Sequence, residues 1–204
     1  MPKKMLSRAK EELRLHPLAY AVLCFALLVG FACGAAYPSL LSAQDQQSFV
    51  QFIPQWIFSY SAQLPSFWPM LWQALLNQGK WFLILLFAGM IRFGTPLVLF
   101  TQLAKGFGMG IVFGGMWLIY QFKGFLCAFL FLLLQNMLYL PATLALGVHA
   151  MCRSQRKDGP SRSAQARQRY LVQQLPCLYA ILIGIVVECS IVPWIIRLMG
   201  TLYL

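Results

Sequence analysis

LAYAVLCFALLVGFACGAAY, residues 18–37, carries no charge and is about twenty residues long, the length that 1.5 Å of rise per residue needs to cross ~30 Å of hydrocarbon. Ala32-Cys33-Gly34-Ala35-Ala36 at its end imitates a cleavage site for a signal peptide. The apolar run is longer than the roughly 7–15 residues of a signal core, so an uncleaved membrane anchor is expected. The basic flank ahead of it, with Lys3, Lys4, Arg8, Lys10 and Arg14, places the N-terminus in the cytoplasm by the positive-inside rule.

Composition extends this reading to the whole chain. Sixty per cent of the 204 residues are hydrophobic and only 10% are charged, against about 25% charged in an average soluble domain. Further apolar stretches at about 81–103, 106–120, 124–151 and 176–199 bring the expected total to about five spans. The expected fold is therefore an all-α integral membrane protein, a single polytopic domain over 1–204. Residues 152–174 hold Arg153, Arg156, Lys157, Arg162, Arg167 and Arg169 with a Gly159-Pro160-Ser161 turn, a cytoplasmic basic loop. An odd span count then sets the C-terminus outside, leaving Lys80, Lys123 and Arg197 outside and Arg92 within a span. The net charge of +11 thus reads as membrane flanks rather than a nucleic-acid surface.

The extracytoplasmic segment 41–79 carries one charge, Asp45, and is too patterned for a plain loop. Phe49, Phe52, Ile53, Trp56, Ile57 and Tyr60 fall at helical spacing, and Phe67, Leu71 and Leu75 begin a second stripe beside Trp68 and Trp72. Two amphipathic interfacial helices fit, because tryptophan and tyrosine favour the headgroup level. Phe52, Trp56, Tyr60, Trp68 and Trp72 are the candidate partner surface, with packing onto the bundle as the equal alternative.

Four polar residues fall near mid-span: Arg92 in the second span, Gln135 and Asn136 in the fourth, and Glu188 in the fifth. A charge at the bilayer centre costs roughly 2.5–3.5 kcal/mol on insertion scales, so Arg92 and Glu188 are expected to face the bundle interior and pair. Such a cluster reads as a structural lock or, alternatively, as the path of a small permease or transporter. Gly94, Pro96, Pro141 and Pro193 are candidate helix breaks, which transporters also use. Gly106 and Gly110 open the short third span and suit close helix packing better than phosphate binding, since no strand precedes them. Self-association through this glycine-rich span stays open.

Catalytic chemistry finds no foothold. His16 lies in the basic flank and His149 at the inner end of the fourth span, both far from Glu188. The six cysteines form no Cys-x-x-Cys pair, so neither a metal site nor a cofactor is expected.

The run GTPLVLFTQLAKGFGMG at 94–110, LQNMLYLPATLALG at 134–147, and Glu188 followed by Pro193 resemble the stage II sporulation protein M family. The most specific pieces are Lys105-Gly106, Gln135-Asn136 with Pro141-Ala142 downstream, and the Glu188 to Pro193 spacing. Two positions depart from the family pattern: Leu134 stands where a proline is frequent, and Cys189 where an alanine is. The resemblance implies a non-enzymatic scaffold in the septal or engulfing membrane of the mother cell during endospore formation, active while septal peptidoglycan is thinned. It implies as partners two membrane-anchored peptidoglycan hydrolases, an amidase/endopeptidase and a lytic transglycosylase, whose catalytic domains lie outside.

Overall fold

A computed structural model describes residues 16–51, 66–155 and 164–203, all of them helix or short connections with no strand. Four long helices make up the bundle: α1 (Pro17–Leu40), α2 (Phe67–Ala88), α3 (Gly94–Ser154) and α4 (Ala164–Tyr203). Among the described residues, three segments are long and apolar enough to cross a membrane: Pro17–Leu40, Gly94–Leu126 and Gln168–Ile191. The N-terminal flank, Phe52, Trp56 and Tyr60 lie outside the described residues.

Pro17 occupies the first turn of α1, where its fixed φ is pre-organised and its missing N–H would lack an intrahelical partner anyway. The helix packs along α3 through an interlocking glycine seam. On α1, Gly30 and Gly34 lie against the carbonyls of Leu103 and Phe107; on α3, Gly106, Gly110 and Gly114 lie against those of Leu27, Phe31 and Ala35. A methyl group at any of these five positions would strike main-chain oxygen, so the small residues set how close the two axes come. Phe31–Phe113 and Tyr37–Phe107 ring contacts, with centroids 5.4 and 5.7 Å apart, flank the seam. The glycine-rich stretch therefore packs within the chain.

α3 is a hairpin of two arms. Gln121 adopts φ 50°, ψ −132°, breaking the helix between 94–120 and 122–154. Edge-to-face rings hold the tip, with the Phe125 centroid 5.0 Å from that of Phe113 and 6.0 Å from that of Trp117. At the opposite end, Gly94 N donates to Ser154 Oγ across 60 residues of sequence. The hairpin and α4 supply most of the core: Val98, Leu146, Val148, Ala150 and Cys177 bury against Leu23 and Leu85, and Tyr139 and Ala142 bury against Ile181 and Ile185.

Two expected boundaries shift. The span placed at 81–103 is not one helix: α2 ends at Ala88, residues 89–93 turn, and α3 starts at Gly94. Gly89 makes the turn compatible with Tyr170, whose hydroxyl fills the space a side chain would need, and a Cβ at Gly94 would collide with the Ala88 carbonyl. Hydropathy carries through the turn because Met90, Ile91 and Phe93 are themselves apolar. Gly94-Thr95-Pro96 is accordingly a helix start rather than a break inside a span, and a proline in a first helical turn displaces no hydrogen bond. The aromatic stripe from Phe67 forms the first turns of α2, a helix of 22 residues that continues to Ala88, with Trp68 and Trp72 exposed. Lys80 is a helical residue of α2.

Candidate functional site

Mid-length along the α3 hairpin the apolar core gives way to a polar centre built from three helical segments. The first arm contributes Gln102 and Lys105, the second Tyr139 and Thr143, and α4 Glu188. Tyr139, fully buried, donates from its hydroxyl to Glu188 Oε2 at 2.6 Å. Lys105 Nζ lies 5.9 Å from the Tyr139 ring centroid and donates to Thr143 Oγ1 at 3.4 Å. Thr143 Oγ1 in turn donates to the carbonyls of Tyr139 (2.9 Å) and Leu140 (3.2 Å), just before Pro141. Pro141 has no N–H, so the ladder is weakened at the Met137 carbonyl one turn back, while the Thr143 hydroxyl adds its bonds at Tyr139 and Leu140. Gln102 Nε2 caps the arrangement on the Thr143 carbonyl at 3.2 Å.

Tyr139 thus stands between a cation and an anion, ring toward one and hydroxyl toward the other. In a low-dielectric interior this holds opposite charges on Lys105 and Glu188 with their hydrogen-bond needs met by neutral neighbours, the condition under which buried charge is tolerated. Gly184 makes room for it: a Cβ there would come within 2.6 Å of the Tyr139 ring.

Of the three polar residues singled out in the sequence whose side chains are described, Glu188 joins this centre. Arg92 is exposed in the 89–93 turn, where its carbonyl accepts from Ser154 Oγ at 3.0 Å. Ser154 is 15 residues from Tyr139 along one helix arm, or roughly 22 Å, so the expected Arg92–Glu188 pair is replaced by Lys105, Tyr139 and Glu188. Asn136 is buried but turns back on its own helix, donating to the Leu132 carbonyl at 3.0 Å. The side chain of Gln135 lies outside the described residues. Pro193 sits within α4, one and a half turns beyond Glu188. Gln102, Lys105, Tyr139 and Thr143 are the members of the centre that the sequence cluster does not include. The signal for Lys105 was its place between two apolar stretches that are in fact one helix; Tyr139, an ordinary interfacial or core residue by composition, gave none.

A second polar knot ties the basic end of the bundle. Tyr170 on α4 donates to the Leu86 carbonyl at 3.4 Å, the Arg153 guanidinium stacks 4.5 Å over the Tyr170 ring, and His149 Nδ1 lies 3.1 Å from Gln174 Oε1. Between α1 and the two arms of α3 lies an apolar groove of about 500 Å³, lined by Leu27, Phe31, Met109, Phe113, Asn136 and Pro141 among others.

Against known families, residues 21–196 match Stage II sporulation protein M. The chain belongs to the stage II sporulation protein M family. No curated protein and no solved structure matches it. As a member of that family with three helices apolar and long enough to cross a bilayer, it is a sporulation-related membrane protein. In this stage II sporulation protein M relative, three sequence pieces that are far apart in the chain, Lys105-Gly106, Pro141-Ala142 and Glu188, meet in space. Lys105 and Glu188 converge on Tyr139, Gly106 faces α1, and Ala142 joins the core around Tyr139.

Proposed function

We propose that the protein is a non-enzymatic membrane scaffold of the engulfment machinery, holding cell-wall hydrolases at the septum while its peptidoglycan is thinned. The observation that carries this reading is family membership over residues 21–196. The polar centre supports it: Tyr139, Glu188, Lys105 and Thr143 bond one another, as a lock between helices does. The chain crosses the membrane five times, because a first arm of α3 that spans brings its antiparallel second arm across with it, and α2 runs between the segment after α1 and the 89–93 turn. The basic residues then sort consistently: Arg92 joins Arg153 on the cytoplasmic side with the N-terminal flank, and the Gln121 tip with Lys123 faces outward, where the catalytic domains of an amidase/endopeptidase and a lytic transglycosylase would lie.

Buried Lys105 and half-buried Glu188 also favour a second reading, a small permease moving a proton or solute past the hairpin. Crosslinking and co-purification of the full chain from sporulating cells separates the two. Recovery of both hydrolase classes is expected, together with unchanged engulfment in a Glu188→Gln variant that accumulates normally. Absence of both hydrolases, with solute flux in proteoliposomes abolished by Glu188→Gln, would establish the permease instead.

A further inference from the structure

α2 carries a polar row left exposed among the described residues. Gln73, Asn77 and Lys80 are all exposed, and their spacing of four and three residues puts them on one side of the helix. The buried side of α2 is different: Gln78, Leu85 and Ala88 face inward, and Leu71, Ala74, Leu75 and Phe82 pack on the core. Exposed Trp72, Leu76 and Leu83 flank the row. Gly79 has nothing within 4 Å of where a side chain would project, so the same region also lacks close neighbours.

The depth of the row makes this unusual. In the proposed five-crossing topology, counting 1.5 Å per residue from Ala88 puts Lys80 about 12 Å, Asn77 about 16 Å and Gln73 about 22 Å into a hydrocarbon layer of ~30 Å. Ionisable groups at such depth ordinarily face a bundle interior or a partner of opposite charge. The Lys80 ammonium lies 5.5 Å from the Trp81 ring centroid, a neutral group that orients a cation without neutralising it.

We infer that the Gln73–Asn77–Lys80 face of α2 is the docking surface for a membrane-spanning helix of another protein, one that carries an aspartate or glutamate opposite Lys80 and amide or hydroxyl side chains a turn away. Charge decides the occupant. A two-fold dimer through this face would set Lys80 near its own copy, a like-charge contact. The chain has five acids, and Glu11, Glu12, Asp45 and Asp158 all fall outside the long apolar helices. The fifth, Glu188, already accepts the Tyr139 hydrogen bond. The acid that meets Lys80 therefore comes from a different chain. An acid–lysine pair shielded by Trp72, Leu76 and Leu83, with amides bonding alongside, is the way polar groups join helices in a bilayer. The inference rests on α2 crossing the membrane but not on which protein supplies the helix.

The test places a photo-crosslinking amino acid at Asn77 in the full chain in its native membrane, with Phe25, an exposed residue of α1, as the control position. The expected adduct, found at 77 and not at 25, maps to a membrane-spanning segment with an acidic residue. Lys80→Glu should lower its yield roughly tenfold, and reversing the partner's acid to lysine should restore it in the Lys80→Glu chain alone. Lys80→Gln, which keeps a polar side chain without charge, serves if Lys80→Glu fails to accumulate, and should also lower the yield. An adduct with a second copy of this chain, with lipid alone, or with a segment lacking an acid overturns the inference, as does a yield indifferent to residue 80. A captured acidic helix from a protein that is not a wall hydrolase would sustain this surface while removing the hydrolase reading; hydrolases recovered without an adduct at 77 would do the reverse.

Discussion

Tyr139 serves two charged groups at once, and the two contacts separate by substitution. Tyr139→Phe keeps the ring beneath Lys105 but leaves Glu188 Oε2 without its donor, and should lower stability by about 1–3 kcal/mol in thermal unfolding of the detergent-solubilised protein. Glu188→Gln, whose side-chain carbonyl still accepts from the phenol, should cost less than Glu188→Leu in the same measurement. Gly184→Val tests the geometry from the other side: its side chain enters the space of the Tyr139 ring, and overpacking of about 1–3 kcal/mol is expected even though no polar group changes. Glu188 was legible in the sequence because an acid in the middle of an apolar run must find a polar partner inside the bundle. Its partner was not. Hydropathy treats Arg92, between Ile91 and Phe93, as mid-span, and treats Lys105, followed by the Gly106-Phe107-Gly108 run, as a boundary; the structure reverses both.

At the scale of elements, the glycine seam fixes α1 on α3. Gly34→Leu or Gly110→Leu should separate the two helices and cut membrane accumulation, with a loss of about 1–3 kcal/mol or more on unfolding, because the obstacle is main chain and cannot move aside. Gly108→Ala, two residues from Gly110, should be neutral, since its Cβ would meet nothing within 4 Å. Sequence marks Gly106 and Gly110 as packing candidates, and the four-residue spacing of Gly106, Gly110 and Gly114 puts those three on one face. The break between the hairpin arms was legible to within a few residues, since Gln121, Phe122 and Lys123 interrupt the apolar run. The break at 89–93 was hidden by its apolar residues. α2 is obscured for the converse reason: Gln73, Asn77, Gln78 and Lys80 make a membrane-length helix resemble a segment at the headgroup level.

For the whole molecule, the all-helical membrane class and the family were legible from composition and a few short motifs, and they stand. The limits of the second and third spans moved. The proposed topology nevertheless keeps five crossings and the same orientation of the ends, because α2 replaces the misplaced second span and the first arm of α3 lengthens the third. This arrangement requires the 89–93 turn and the hairpin tip to lie on opposite sides of the membrane. Single cysteines at Arg92 and Lys123, introduced after replacing the six native cysteines and labelled with a membrane-impermeant maleimide, read this directly. Lys123→Cys should label in intact cells and Arg92→Cys only after the membrane is opened; labelling of both from the same side would contradict the five-crossing bundle and the scaffold topology built on it.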